Sequence, residues 1–282
     1  MADFLDKRTI RALAERLGVR PSKGRGQNFL HDANTVRRIA ALAEVAEGDT
    51  VLEIGPGLGS LTAGLLHTGA QVWAVEIEPA LANQLPLTMR ELTGDKVQNL
   101  TVVEADALRL SPATLGSDTP ARLVANLPYN IAVPVLLHVL ATFPAIKAGL
   151  VMVQLEVADR LVAPPGSRVY GVPSAKLAWY ATARRVGVVP PTVFWPAPKV
   201  ESGLVALTRT ALPEGADRES TFKVIDAAFA QRRKMLRSAL SARYGDAALP
   251  ALIRAHIPPE ARGETLAIED FARLATELTP SG

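Results

Sequence analysis

Two short runs in this 282-residue chain hold residue types at spacings that can do chemistry. The first, Glu53-Ile54-Gly55-Pro56-Gly57-Leu58-Gly59, places glycine at alternate positions. Such spacing lets a backbone turn tightly and pass close to a ligand. The second is Asn126-Leu127-Pro128-Tyr129. The Asn126 side-chain oxygen and the Leu127 backbone carbonyl can accept the two hydrogens of an exocyclic amine. Pro128 stiffens the loop and removes a competing N–H, and Tyr129 can stack on a flat ring. An amine such as the N6 of adenine is a poor nucleophile, because its lone pair is delocalised into the ring. Two acceptors on its hydrogens favour the pyramidal, more reactive nitrogen. Stacking is worth about 1–3 kcal/mol per base, enough to help hold a base out of its stack.

Carboxylates narrow the choice of cofactor. Glu53 precedes the glycine turn, and Glu76 ends the next apolar run 21 residues after Gly55. A carboxylate there can accept both ribose hydroxyls. Asp106, after the following strand, can accept from an adenine amine. Acids around the site suit a ligand carrying an ammonium and a sulfonium, so S-adenosylmethionine fits better than NAD. A NAD-dependent oxidoreductase would also need a hydride-transfer site, which the sequence does not offer. The chemistry expected is an in-line methyl displacement at a sulfonium carbon, helped mainly by proximity and orientation. No strong general base adjoins the clamp. None is needed before transfer, since the nitrogen can lose its proton afterwards. The bland alternative for each run is a tight turn with no ligand; their order and flanking strands favour the functional reading.

The elements that must position these residues read as an α/β fold. Thr50-Val51-Leu52-Glu53-Ile54 is a short apolar run before the glycine turn, the pattern of a buried parallel strand. Ser60 is expected as the N-cap of a helix to about His67, with Gly69 past its end. Gln71–Val75, Thr101–Val103, Arg122–Ala125 and Leu150–Val153 read as further strands, and Pro79 opens a helix after the second. Strands alternating with helices predict a doubly wound sheet. Val186–Val189 and Gly203–Leu207 suit a hairpin at its edge. Pro213–Asp217 reads as a linker, followed by helices in which Phe222, Ile225 and Phe229 share a face. The domains expected are therefore 1–209 and 210–282.

Composition excludes several classes. The chain has no cysteine, which rules out disulfides, thiol nucleophiles and cysteine-zinc sites. His31, His67, His138 and His256 lie far apart, and no metal site is expected. The start of the chain lacks a signal peptide's apolar stretch. Residues 131–153 are broken by Pro134, His138, Pro144 and Lys147, so a helix and a buried strand are expected there, with no membrane span. A cytoplasmic protein is expected. Nothing demands more than a monomer. Charge is uneven: residues 1–43 hold nine Lys/Arg against four Asp/Glu, and residues 44–106 hold two against ten. An acidic centre with basic flanks fits a cationic cofactor and a polyanionic partner.

Six ordered runs carry a family resemblance: Gly26–Leu30, Leu52–Thr62, Glu104–Leu108, Asn126–Asn130, Phe194–Ser202 and Ala228–Lys234. Together they resemble the ribosomal RNA adenine N6-dimethyltransferases, above all the bacterial small-subunit (16S) type, over about residues 20–275. The resemblance implies a Rossmann-like class I methyltransferase sheet with a small C-terminal α-helical domain. It implies that Asn28, Leu30, Gly55, Glu76, Asp106 and Asn126 line the S-adenosylmethionine site. It also implies that Phe194 covers the base face opposite Tyr129, completing a catalytic set of Asn126, Leu127, Pro128, Tyr129 and Phe194. The product implied is N6,N6-dimethyladenosine at two adjacent adenines near the 3′ end of the small-subunit rRNA. Local residue chemistry alone reaches only adenine N6 methylation. Glu78 stands where the family more often has aspartate, and His31 where asparagine is commoner.

Two basic segments could hold RNA phosphates. Residues 7–25 contain Lys7, Arg8, Arg11, Arg16, Arg20, Lys23 and Arg25, and a tail helix is expected to carry Arg232, Arg233, Lys234 and Arg237. Such contacts give salt-dependent affinity without sequence specificity. Arg184 and Arg185, by the edge strand, are left unassigned. Trp73, Trp179, Trp195, Met89, Met152 and Met235 are expected to be packing residues. The partner expected is the small ribosomal subunit and its rRNA. Two alternatives stand beside this reading: a large-subunit rRNA methyltransferase of the resistance type, and a non-catalytic RNA-binding assembly factor.

Overall fold

The structure, a computed structural model, describes residues 3–19, 27–116, 119–213 and 215–279. In chain order its elements are α1 (Lys7–Arg16), β1 (Phe29–Leu30), α2 (Ala33–Leu42), β2 (Thr50–Ile54), α3 (Ser60–His67), β3 (Gln71–Glu76), α4 (Pro79–Thr93), β4 (Leu100–Glu104), β5 (Arg122–Asn126), α5 (Ala132–Thr142), β6 (Ala148–Gln154), α6 (Leu155–Leu161), α7 (Val172–Ala178), β7 (Ala181–Val189), β8 (Phe194–Trp195), β9 (Ser202–Arg209), α8 (Arg218–Ala230), α9 (Leu236–Tyr244), α10 (Ala248–Arg254) and α11 (Ile268–Leu278). The chain divides into two units. The first is 1–158 with 184–209, and the second is 159–183 with 210–282.

The first unit contains the expected α/β sheet, in the order β4-β3-β2-β5-β6-β9-β7. β2, β3, β4, β5 and β6 pair in parallel, while β9 runs antiparallel to β6. Apart from β4, which is only half-buried, their middles are apolar and buried, as parallel strands covered on both faces must be. The chain leaves β2 toward β3 and β4, then returns to β5 on the other side of β2. That reversal makes a crevice beyond the carboxyl ends of β2 and β5, where ligands bind in open α/β sheets. β7 is the outer strand, as expected, but β9 lies inside the sheet. Among the described residues no helix is long and apolar enough to cross a membrane.

One local expectation is corrected. Ser60 is the first residue of α3; Gly59 is its N-cap, with no side-chain capping bond. The Ser60 hydroxyl instead donates to the Leu30 carbonyl, tying β1 to the start of α3. Gly59 sits at φ 97°, and a Cβ there would stand 2.5 Å from Met89 Cε and 2.6 Å from Leu85 Cδ1. Only glycine meets both demands.

The second unit is helical, with Phe271, Leu274, Leu236, Leu240 and Leu252 buried. It includes residues 159–183, which the sequence reading placed in the first domain. Physical ties account for the grouping. Tyr170 Oη donates to the Leu266 carbonyl at 2.9 Å, and Lys176 Nζ pairs with Asp226 at 2.8 Å. Trp179 and Tyr180 both meet Phe222 edge-on. Ile225 is fully buried, with Phe222 and Phe229 half-buried beside it. Met89 and Met152 are core, as expected, but Met235 is exposed. Glu214 of the expected linker lies outside the described residues.

Candidate active site

A cavity of about 550 Å³ opens at the carboxyl ends of β2, β3, β4 and β5. That is within the usual range for a small-molecule site. Asn28, Leu30, Gly55, Glu76, Asp106 and Asn126 all line it, as do Pro128 and Tyr129. The sheet therefore gathers residues from separate runs of sequence at one place. Gly55 sits at φ 68°, and a Cβ on it would stand 3.9 Å from Pro128 Cδ, so the glycine turn and the clamp adjoin.

The turn is held by Glu76. Its Oε2 accepts from Gly57 N at 3.1 Å and its Oε1 from Glu78 N at 3.0 Å. Burial raises its carboxyl above the usual range, while these backbone donors pull it back. Asp106 follows β4, and its Oδ1 accepts from Leu108 N at 2.9 Å. Because α3 begins without a side-chain cap, its first N–H groups are not taken by a capping side chain.

Asn126 ends β5. Its Nδ2 donates to the Asn28 carbonyl at 3.4 Å. This long contact turns Nδ2 toward the Asn28 carbonyl, where a flipped amide would set two oxygens against each other. Oδ1 is then the acceptor end of the side chain. Leu127 buries its side chain, and its N–H donates to the Met152 carbonyl at 3.0 Å, which ties the clamp to β6. Leu127 itself is not among the residues that line the cavity. Tyr129 Oη is 2.7 Å from Ser202 Oγ, which holds the ring in place, and burial raises its phenol above the ordinary value.

Phe194 departs from expectation. β8 pairs antiparallel with β1, matching Phe194 to Leu30, and Phe194 is 1% exposed within a core cluster that includes Leu30, Val36 and Leu61. It does not line the cavity. The sandwich expected of Tyr129 and Phe194 is therefore not assembled; Tyr129 alone of the two faces the site. Trp195, the other residue of β8, stacks on Phe29 at 6.4 Å.

The sequence reading missed Ile77, which lines the cavity while 64% exposed. An apolar side chain between Glu76 and Glu78 was the available signal. The described lining includes Glu53, Glu76, Glu78 and Asp106, and none of its residues is Lys, Arg or His. Glu53 is 1% exposed with Oε2 unpartnered. Such a cavity fits a ligand with net positive charge, as S-adenosylmethionine has.

The basic groups are placed differently from the expectation. Arg232, Arg233 and Lys234 lie in the turn between α8 and α9, and only Arg237 is on a helix. Arg232 Nε donates to Glu264 at 3.0 Å and Nη2 to the Arg168 carbonyl at 2.5 Å, so this guanidinium braces the second unit. Arg237 is exposed and 3.7 Å from Glu260. Arg233 and Lys234 are exposed, with no side-chain hydrogen bond or ion pair to the described residues. On α1, Lys7, Arg8, Arg11 and Arg16 face outward while Ile10, Leu13 and Ala14 are buried. Arg20, Lys23 and Arg25 lie outside the described residues.

The family described as ribosomal RNA adenine dimethylase matches residues 21–280. The ribosomal RNA small subunit methyltransferase A of Cutibacterium acnes is 57% identical, over 99% of this chain and 96% of that protein. Among solved structures, the 23S rRNA methyltransferase ErmE aligns with a TM-score of 0.62 and 31% identity, over 89% of this chain and 99% of its own. A dimethyladenosine transferase from Plasmodium falciparum shares the fold, with a TM-score of 0.72 at 23% identity over 87% and 95% of the two chains.

Proposed function

Because this chain belongs to the ribosomal RNA adenine dimethylase family, we propose that it transfers methyl groups from S-adenosylmethionine to adenine N6 in small-subunit (16S) rRNA. The product is N6,N6-dimethyladenosine at two adjacent adenines near the 3′ end. One observation carries the reading: Asn126, whose amide can receive the target amine, lines the same cavity as the glycine turn and turns its Nδ2 toward the Asn28 carbonyl. S-adenosylmethionine supplies an electrophilic methyl on a sulfonium. Glu76 holds the ribose, and Asp106 receives the cofactor's adenine amine. Asn126 Oδ1 and the Leu127 carbonyl draw the target nitrogen into line, and Tyr129 stacks on its ring. Catalysis then rests mainly on orientation.

The likeness to a 23S rRNA methyltransferase supports the same chemistry on a large-subunit site. The small-subunit reading is favoured by the higher identity over nearly the whole chain. Binding an assembling subunit would let the same protein act in biogenesis, in the cytoplasm where ribosomes mature. Small-subunit rRNA from a strain lacking this gene is expected to be free of N6,N6-dimethyladenosine and to regain it on complementation. A full complement of the modified nucleoside without the gene overturns the assignment.

Arg233 and Lys234 are exposed and without an ion pair to the described residues, so their charges are open to phosphates. Converting both to glutamine is expected to weaken subunit binding and to reduce the slope of log affinity against log salt by about 1–2. Arg232→Ala is expected to lower the melting temperature instead, because it strips a brace from Glu264. An unchanged salt slope in the double variant would remove those two residues from the interface.

A further inference from the structure

Glu53 differs from the other acids of the cavity. It sits on β2 immediately before the glycine turn, is 1% exposed, and leaves Oε2 without a hydrogen-bond partner. Thr62 of α3, fully buried, also leaves its hydroxyl unpartnered. The charged group that bears on Glu53 is Glu76 on neighbouring β3, and it has the same sign. Asn126 on β5 is uncharged, Glu78 and Asp106 are acids, and the described lining contributes no cation. Burial beside a like charge strongly disfavours an ionised carboxylate in such a place. Burial accordingly pushes Glu53 up to about 8; the Thr62 hydroxyl, close by but outside hydrogen-bond geometry, pulls the other way.

We propose that Glu53 is a proton-linked discriminator in the cofactor cavity, neutral when the cavity is empty and ionised when a sulfonium ligand fills it. The proposal rests on the methyl-transfer reading. S-adenosylmethionine carries a sulfonium and an ammonium against one carboxylate, a net positive charge. Its thioether product keeps the ammonium and the carboxylate and is neutral overall. On cofactor entry the Glu53 O–H bond breaks and the proton passes to water. Once the methyl group has left, the buried carboxylate faces a neutral ligand and recovers a proton from water. No other bond changes. Glu53 thus favours the cofactor over its product, and proton uptake loosens the product's hold.

The test is calorimetric binding of S-adenosylmethionine and S-adenosylhomocysteine to the full chain, in buffers of different ionisation heat. It belongs between pH 6 and 7, below the cofactor's own amino group, which titrates near pH 7.7–8.0 as an α-amine. The expected result is release of about one proton per S-adenosylmethionine, clearly fewer for S-adenosylhomocysteine, and cofactor affinity rising about tenfold per pH unit. Glu53→Gln should remove the release and the slope, whereas Glu76→Gln, which takes a like charge from beside Glu53, should reduce the release without abolishing it. Buffer-independent heats, equal release with both ligands, or release lost only in Glu76→Gln would each overturn the proposal. If Glu53→Gln does not fold, the two-ligand comparison on the native chain still decides. Cofactor binding without proton release overturns this proposal alone, whereas no cofactor binding overturns the methyl-transfer reading with it.

Discussion

Replacing Asn126 with alanine is expected to slow methyl transfer by about 10²–10³-fold while subunit binding stays within about twofold, as removal of one preorganised polar partner does elsewhere. Asn126 is placed at the end of β5 by the sheet, with Nδ2 turned toward the Asn28 carbonyl and Oδ1 as the remaining acceptor. An acceptor already in place spends none of the transition-state stabilisation on its own reordering. Alanine removes that acceptor and the Nδ2 contact to the Asn28 carbonyl, and it changes no basic side chain. The rate should therefore fall without a matching loss of affinity. Single-turnover transfer alongside filter binding of subunits separates the two. Unchanged turnover would refute the clamp assignment, and equal losses in rate and binding would recast Asn126 as structural.

Glu76→Ala is expected to weaken S-adenosylmethionine binding by about 10–10²-fold, from the loss of hydrogen bonds to a charged acceptor worth about 1.5–3 kcal/mol. Two effects add. The ribose loses its acceptor, and the turn loses the carboxylate that now receives the Gly57 and Glu78 N–H groups. Glu76→Gln separates them in part, because its amide keeps one oxygen for a backbone donor while losing the charge. Calorimetric affinity close to that of the native chain in Glu76→Ala would take this residue out of the ribose role.

What the sequence made legible was local. Parallel strands buried on both faces are unbroken apolar runs, so β2, β3, β5 and β6 could be read within a residue or two of their ends. The glycine turn and the Asn-Leu-Pro-Tyr run announce themselves because neighbouring residues make their geometry. What was hidden depends on partners far along the chain. Ser60 looks like a cap until the Leu30 carbonyl claims its hydroxyl. Arg232 looks like its basic neighbours until Glu264 and the Arg168 carbonyl occupy it. Phe194 belongs to a run that the family resemblance made prominent, but its place beside Leu30 in the β1–β8 pair buries the ring in the core. Residues 159–183 lack a composition break at either end. Their membership of the helical unit comes from ties such as that of Lys176 to Asp226.

The nucleoside that receives the methyl group identifies the substrate and the reaction together. Unmodified small subunits, large subunits and naked rRNA, each incubated with the purified chain and methyl-labelled S-adenosylmethionine, would be digested and their nucleosides separated. Label in N6,N6-dimethyladenosine from small-subunit RNA, and none from large subunits, is the predicted result. Label confined to large-subunit RNA, or no label while the cofactor still binds, would contradict it.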